Sequence, residues 1–359
     1  MSWNHVLDVK NIKIWTDYSD STQGHLFVND NHQLKLNVGI SFTLASGETE
    51  GPTEDEVHSA LSLINNQDSG PLKYLSLVEA GRYTSVYDPN HVSIDPQNDI
   101  DDGIYDFVFT YYVSSPSNLN AETHSESVAL RVEYPQTNAD GTTTVVVKET
   151  SAKGNYYTKT YVTVLCYAPM LYGNSGENRK VISLGHKTVA DSDCFDVEGH
   201  FNHSGDNFKV YWLYIDDPYF KIFYFDGCNE PDENIVHDAF YILKEYSKPR
   251  WDHIFNSFFP AIKCGELTYD VKIAVRSDPN HAYDVIVTEN ITVHQEENQI
   301  TFLTGFSSAE ALREATDVNK YVYVRLYDQF GNNSYIVVGT TYYYSSSSDN
   351  GYIKLESVS

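Results

Sequence analysis

Two stretches of the sequence carry side chains that can hold a metal ion. In the first, His200 and His203 stand three residues apart, and Cys194 and Asp196 precede them. A zinc site needs three or four such ligands converging on one point. Because glycine and serine flank the two histidines, this stretch predicts a solvated polar loop that does not assemble a complete ligand set.

The second stretch, residues 95–103, is rich in carboxylates, which are ligands that calcium prefers. Ile100 stands where an EF-hand loop requires Asp or Asn, so the spacing does not match that motif. The four cysteines lie far apart without a Cys-x-x-Cys pair, and Cys228 and Cys264 are either buried thiols or a bridge formed in an oxidising compartment. We therefore predict no metal and no cofactor, with calcium at residues 95–103 left open.

Aromatic side chains are concentrated in residues 211–225. This stretch predicts two strands joined by a turn at Asp216 and Asp217, with apolar or aromatic residues on both faces. Either the strands form a central pair buried under a helix, or they present aromatic rings outward. In the second case, the candidate contacts with a protein or a sugar are Trp212, Tyr214, Tyr219 and Tyr224.

Motifs of known catalytic sites are absent from the sequence. It contains no Gly-x-Ser-x-Gly, no His-Glu-x-x-His, no phosphate loop and no dinucleotide fingerprint. With 13 histidines and 50 carboxylates, an acid–base pair can still form by proximity, as in a glycosidase. We predict that the chain is not an enzyme, and a secreted toxin or hydrolase with an unrecognised site remains an alternative.

The chain is strongly acidic, with 24 Lys and Arg against 50 Asp and Glu and a formal net charge of −26. Nucleic acids and anionic membranes are bound through Lys and Arg, so neither is an expected partner. The N-terminus has no signal-peptide pattern, and the longest nearly apolar stretch, residues 161–172, is too short for a membrane helix. The expected location is the cytoplasm, or outside the cell by a route that needs no N-terminal signal.

The elements that must position these residues are mainly strands. Twenty-nine tyrosines and many alternating apolar residues favour a pleated surface. In residues 34–40 the even positions are apolar, and residues 142–149 and 156–167 are expected to form a hairpin. Capping-box spacing at Thr53–Glu56 predicts one short helix leading through Leu61 towards Ile64. Two further helices are expected at residues 233–247 and 308–315.

A hairpin near the C-terminus carries a resemblance to a known family. Tyr327-Asp328-Gln329-Phe330-Gly331-Asn332 lies between two alternating strands in Tyr321–Tyr344. This resembles the terminal hairpin of bacterial immunoglobulin-like modules of the invasin and intimin type, in which a Val-rich strand runs into an Asp-x-x-Gly-Asn turn. The resemblance implies a β-sandwich used as a spacer or adhesive unit, although the helices at 233–247 and 308–315 do not belong to a minimal sandwich.

We therefore expect a mainly β protein with two immunoglobulin-like β-sandwich domains, the second elaborated with two helices. The expected domains are residues 1–168 and 179–359, with a linker at 169–178. The expected function is non-enzymatic, a bacterial or phage-type protein acting in recognition or adhesion at a protein or glycan surface. The alternative is a subunit of a self-assembling particle, filament or inclusion, so a homo-oligomer is open.

Overall fold

The computed structural model describes fourteen segments of the chain: residues 2–18, 20–90, 104–118, 124–138, 140–173, 179–188, 195–197, 208–228, 253–259, 265–276, 284–295, 298–307, 321–341 and 352–358. The chain divides into two compact units. Unit 1 comprises Met1–Pro169 together with Phe330–Asn332, and unit 2 comprises Met170–Gln329 together with Asn333–Ser359.

Unit 1 contains nine strands in the residues that the structure describes, and a 3₁₀ turn at Ser2–His5 precedes the first. The strands are β1 (Val6–Trp15), β2 (Gln23–Phe27), β3 (Gln33–Leu44), β4 (Leu61–Asn65), β5 (Ser76–Val78), β6 (Phe107–Ser114), β7 (His124–Thr137), β8 (Thr143–Glu149) and β9 (Tyr161–Tyr167). One sheet has the order β1-β3-β6-β5, and the other has the order β2-β9-β7-β4 with β8 paired to β7.

The two sheets of unit 1 enclose one hydrophobic core. On β3 the even positions Leu34, Leu36, Val38 and Ile40 are buried, as the alternation predicts, because successive strand residues point to opposite faces. They belong to the same cluster as buried residues of the second sheet, such as Leu130. The two sheets therefore pack face to face, and side chains on their outer faces and in the connecting loops are available for other contacts.

The predicted short helix is confirmed as α1 (Glu54–Ala60). The Thr53 hydroxyl accepts the Glu56 backbone N–H, and the Glu56 carboxylate accepts the Thr53 N–H, which is a complete capping box. The prediction that this segment leads helically towards Ile64 is wrong. The chain turns extended at Leu61 and enters β4, because pairing with β7 buries Leu61 and Ile64.

The predicted hairpin between the strands at 142–149 and 156–167 is also wrong. β8 pairs with Arg131–Thr137 of β7, and β9 pairs with His124–Ala129 of the same strand. Since β4 pairs with β7 at residues 128–132, both β8 and β9 must use the opposite edge of β7. The two strands therefore lie end to end along one long strand, and the connection at residues 150–160 is a loop between them.

This loop caps the free edges of two strands. The Asn155 amide donates to the Val147 carbonyl at 2.6 Å and accepts the Glu149 N–H at 3.0 Å, so it occupies part of the outer edge of β8. The Tyr156 hydroxyl donates to the Lys10 carbonyl of β1 at 3.0 Å. Unpaired strand edges favour association with other strands, and these side chains reduce that tendency in unit 1.

Residues Phe330–Asn332 belong to unit 1 although they are distant from its other residues in sequence. The Phe330 ring is 2% exposed. Its centroid lies 5.3 Å from those of both His32 and Tyr87, in edge-to-face arrangements. These contacts make Phe330 part of an aromatic cluster of unit 1.

The backbone around Phe330 is held by two asparagines. Asn29 Nδ2 donates to the Phe330 carbonyl at 3.1 Å and to Asn332 Oδ1 at 2.8 Å, and Asn31 Nδ2 donates to the Gly331 carbonyl at 3.0 Å. Gly331 has φ +73°, and a Cβ there would lie 2.4 Å from Asn31 Cβ. The Gly-Asn sequence that carries the family resemblance is thus required by local geometry.

Unit 2 contains twelve strands in its described segments, arranged in three sheets of order β10-β11-β13-β18-β15, β12-β17-β16 and β14-β19-β20-β21. The strands are β10 (Leu171–Gly173), β11 (Arg179–Thr188), β12 (Phe195–Val197), β13 (Phe208–Ile215), β14 (Ile222–Cys228), β15 (His253–Phe259), β16 (Gly265–Arg276), β17 (Asp284–Gln295), β18 (Gln299–Ser307), β19 (Tyr321–Asp328), β20 (Asn333–Thr341) and β21 (Tyr352–Val358).

The prediction of a mainly β protein is confirmed, and so is the pairing of β19 with β20 as an antiparallel hairpin. The helices expected at residues 233–247 and 308–315 lie outside the described residues, as do His200, His203 and residues 95–103. No helix in the described part of the chain is long and apolar enough to span a membrane.

Candidate functional site

The aromatic residues expected to form one hairpin lie in two different sheets. Trp212 and Tyr214 belong to β13, which pairs with β11 on one edge and β18 on the other. Tyr224 belongs to β14, which pairs with β19. The predicted hairpin at 211–225 is therefore wrong. Both edges of β13 are paired with other strands, and β14 pairs with β19 instead.

The described side chains of this stretch differ in exposure. Tyr214 is 36% exposed between the buried residues Leu213 and Ile215, so this end of β13 has one buried and one open face. Tyr219 and Tyr224 are half-buried, and the side chain of Trp212 lies outside the described part of the structure. The role of the four residues as partner contacts remains a prediction. Trp212 and Tyr214 lie on β13, Tyr224 lies on β14, and Tyr219 lies in the loop between these strands.

The loop that carries Tyr219 is fixed by a side chain from the end of β19. Gln329 Nε2 donates to the Tyr219 carbonyl at 2.6 Å, and Gln329 Oε1 accepts the Lys221 N–H at 2.7 Å. This bidentate contact replaces the backbone hydrogen bonds that a strand pair would supply. A defined loop conformation therefore presents Tyr219.

A second candidate lies in unit 1, where a partly open cavity of about 320 Å³ is lined by polar and aromatic side chains. Lys35 of β3 and Tyr112 of β6 are direct cross-strand neighbours. His25 comes from β2, and Asp17 comes from the turn between β1 and β2. Residues 84–86 of the loop after β5 complete the wall. The cavity thus joins side chains from both sheets of unit 1 and from two loops.

An ion pair forms the polar side of the cavity. Lys35 Nζ lies 2.9 Å from Asp17 Oδ2, and Asn37 Nδ2 donates to Asp17 Oδ1 at 2.7 Å. Lys35 and Asn37 are two residues apart on β3 and therefore share a face. The Asp17 side chain is 12% exposed and that of Lys35 is 34% exposed, so the carboxylate is mostly covered while a third of the lysine side chain remains open to solvent.

His25 supplies a neutral polar group to the same cavity. Its Nδ1 lies 3.0 Å from the Tyr167 hydroxyl. Burial lowers the pKa of His25 below its usual value of 6.5, and the negative charge of Asp88 partly opposes this effect. The ring is therefore neutral at pH 7, with one N–H donor and one acceptor nitrogen.

Tyr18 forms an aromatic wall of the cavity. Its hydroxyl donates to the Tyr87 carbonyl at 2.9 Å, and its ring lies edge-to-face with that of His25 at 5.2 Å. With 6% exposure and its hydroxyl engaged, the ring is fixed in position. A fixed ring offers an apolar surface to a ligand at little conformational cost.

The part of the wall formed by residues 84–86 is supported by His32, which is buried. The Phe27 N–H donates to His32 Nδ1 at 3.0 Å, so the ring proton is on Nε2, which donates to the Ser85 carbonyl at 2.9 Å. Burial lowers the pKa of His32 to about 4. The neutral ring thus fixes the backbone of Ser85, a residue that lines the cavity.

A buried carboxylate elsewhere in unit 1 has a different role. Glu126 of β7 is 3% exposed. Its Oε1 accepts Asn65 Nδ2 and the Lys73 N–H, and its Oε2 accepts the Tyr74 and Leu75 N–H groups, at 2.7–3.1 Å. All of this bonding is directed at the protein itself. Glu126 fixes the loop after β4, and it does not line the cavity.

The described residues contain no group of three or more His, Cys, Asp and Glu side chains placed to hold a metal ion. Neither a scan against protein-family models nor a search of curated proteins returns a match for this chain.

No residue that lines the cavity was predicted from the sequence as a candidate site residue. Lys35 and Asn37 alternate with the apolar residues of β3, and this pattern indicates that the two side chains point to the same face of the sheet, away from the core. Their partner Asp17 lies in a turn with ordinary turn composition, and His25 lies on β2, a strand that was not predicted. Only the fold brings these residues to one place.

Proposed function

We propose that the chain is a non-enzymatic recognition protein and that the cavity of unit 1 binds a small polar group of its partner. The observation that carries this proposal is the Lys35–Asp17 pair. Lys35 keeps two of its three N–H donors beyond the contact with Asp17, within the residues that the structure describes. Polar donors beside aromatic side chains in a cavity are typical of a small-molecule binding site.

The same geometry favours binding over catalysis. Both oxygens of Asp17 already accept hydrogen bonds, from Lys35 and Asn37. A carboxylate held in this way orients a ligand better than it removes a proton from one. The partner we propose is a protein or glycan surface, with the exposed Tyr214 as a further contact.

We also propose that both units are immunoglobulin-like β-sandwiches of the adhesive type. The face-to-face sheets of unit 1 with their common core support this for the first unit. The β19–β20 hairpin, which carries the resemblance, supports it for the second. Self-assembly through strand edges receives less support, because Asn155 and Tyr156 cap edges of β8 and β1.

Ligand-observed NMR on the full chain tests the proposed cavity with three classes of small polar compound: neutral sugars, the anions phosphate and acetate, and the cation guanidinium. At least one class should show saturation transfer from the wild type, and the signal should fall strongly with Lys35→Met. Lys153→Met is the control, because Lys153 is exposed and does not line the cavity. Saturation transfer from no class, or transfer that Lys35→Met leaves unchanged, contradicts the proposal.

A further inference from the structure

We infer that the ligand of the unit 1 cavity is a neutral sugar unit. This inference rests on the proposed function and adds the chemical class of the ligand. Three properties of the cavity lead to it: its net charge, the mixture of donors and acceptors on its wall, and the combination of small size with aromatic surface.

The charge of the cavity favours a neutral ligand. The positive charge of Lys35 is matched by Asp17 at 2.9 Å, and His25 is neutral at pH 7. A chain with a formal charge of −26 repels anions at long range, since the summed field acts beyond any single contact. A cation would approach the positive charge of Lys35, whose side chain is 34% exposed. Neither sign of charge therefore gains from entering.

The wall offers donors and acceptors side by side. Lys35 has N–H groups to donate, and the carboxylate of Asp17 has lone pairs beyond the two hydrogen bonds that it accepts from protein groups. Gln33 has its amide tied to the Glu79 carbonyl and the Gly81 N–H, which fixes the rim. A hydroxyl group both donates and accepts, so adjacent hydroxyls of a sugar match Lys35 and Asp17 together.

An anion such as phosphate is a poorer match to the same wall. Its oxygens accept from Lys35 but face the Asp17 carboxylate at close range, where like charges repel. A purely apolar group would leave the remaining N–H donors of Lys35 and the remaining lone pairs of Asp17 without partners, which costs binding energy. The arrangement therefore selects a neutral group with several hydroxyls.

The remaining surface and the size of the cavity fit one sugar ring. Tyr18 and Tyr112 line it with aromatic rings, and Val86 adds an aliphatic surface. A pyranose ring has an apolar C–H face that packs on such a surface. The volume of about 320 Å³ lies at the lower end of small-molecule sites, which span roughly 300–1,000 Å³. The cavity therefore accommodates a single residue at the end of a glycan.

Isothermal titration calorimetry of the full chain tests the assignment. The probes are the methyl β-glycosides of glucose, galactose and N-acetylglucosamine, with glucuronate and inorganic phosphate as charged comparisons. We expect at least one neutral glycoside to bind with a Kd on the order of 1 mM, which is weak but measurable, and the charged compounds to bind at least 10-fold more weakly.

Lys35→Met and Asp17→Asn should each weaken glycoside binding at least 10-fold, and Lys153→Met should leave it unchanged. Two variants are used, each with its fold checked by the amide NMR spectrum, because the cavity can then be tested even if one of them misfolds.

The possible failures separate this inference from the proposed function. If phosphate or glucuronate binds more tightly than every glycoside and does so through Lys35, the sugar assignment is overturned while the recognition site stands. Glycoside binding that Lys35→Met and Asp17→Asn do not weaken overturns the assignment of this cavity. If no compound binds in either the calorimeter or the NMR screen, both the inference and the proposed function fail.

Discussion

Two carboxylates of unit 1, the buried Glu126 and the partly buried Asp17, have surroundings that differ in one important respect. Glu126 accepts four hydrogen bonds, three of them from consecutive backbone N–H groups. Asp17 accepts a hydrogen bond from a lysine and one from an asparagine, at the edge of a cavity. The first carboxylate uses its hydrogen-bonding capacity to hold a loop, whereas the second holds an ammonium group that still has donors to offer.

This difference distinguishes a structural polar site from a binding site. A buried polar group must find partners, and in a closed network all of them are protein atoms. His32 belongs to the closed type, because both ring nitrogens are bonded to backbone atoms. Lys35 belongs to the open type. Substitutions at closed sites should therefore affect stability, and substitutions at the open site should affect ligand binding.

The largest expected effect is that of Glu126→Gln. Each carboxylate oxygen accepts two donors, so the amide NH₂ of glutamine faces two donors that lose their acceptor, whichever way the amide is oriented. At about 2 kcal/mol for each buried unsatisfied donor, the free energy of unfolding should fall by about 4 kcal/mol. Urea unfolding followed by the NMR signals of unit 1 measures this change.

The matched control is Glu79→Gln, since Glu79 is an exposed carboxylate on the loop that follows β5. Its effect should stay within about 0.5 kcal/mol, as for most surface substitutions. A loss below about 1 kcal/mol for Glu126→Gln would show that the Glu126 network is not a closed structural site.

The second effect is the pH dependence that arises from His32. Its pKa is about 4 in the folded chain and about 6.5 when unfolded, so the unfolded state binds more protons between these values. The stabilisation is complete above pH 6.5 and is lost as the pH falls towards 4, by about 3 kcal/mol in total. Over this range, the wild type should lose about 3 kcal/mol more unfolding free energy than His32→Gln.

Denaturant unfolding of unit 1 at a series of pH values between 4 and 7 measures this difference. Ser59→Ala, a non-titrating substitution at an exposed position on α1, serves as the comparison and should keep the pH dependence of the wild type. Equal pH dependence in the wild type and His32→Gln would mean that His32 is not held as the buried neutral ring described above.

Of the three site substitutions, Lys35→Met should have the smallest effect on stability. The Lys35–Asp17 pair is partly exposed, and such pairs contribute about 0–1 kcal/mol, because solvent screens the charges. The methionine side chain preserves most of the aliphatic packing. The free energy of unfolding measured with urea should therefore fall by less than about 1 kcal/mol. A loss as large as that expected for Glu126→Gln would place Lys35 among the structural residues and remove the contrast between the two sites.

The local parts of this structure were predictable and the non-local parts were not. The alternation of residues 34–40 predicted β3, and Thr53 with Glu56 predicted the capping box, because each depends on neighbours in sequence. The strand partners were wrong at β8 and β9 and at β13 and β14, since apolar residues on a strand do not specify which edge they meet. The sequence predicted the polar segments that separate these strands. It did not predict which partner strand the chain pairs with after each of those segments.

The candidate site depends entirely on non-local contacts. Asp17, in the turn between β1 and β2, contacts Lys35 of β3, and His25 comes from β2 of the other sheet. Glu126 is a carboxylate on a strand, and its backbone partners at Lys73–Leu75 have no side-chain signature at all. The aromatic stretch at 211–225 was conspicuous in sequence because its residues are contiguous, whereas the cavity residues are not.

Protein-observed NMR provides the most direct test of the central claim that the open polar site of unit 1 binds a ligand. The amide signals of Lys35, Ser85 and Tyr112 are followed while methyl β-glycosides are added to the labelled full chain, in parallel with Lys35→Met. Saturable shifts are expected at these three amides in the wild type and at least 10-fold weaker binding in the variant, with the signals around Glu126 unmoved. Unmoved cavity signals, or equal binding in the two proteins, would contradict the claim.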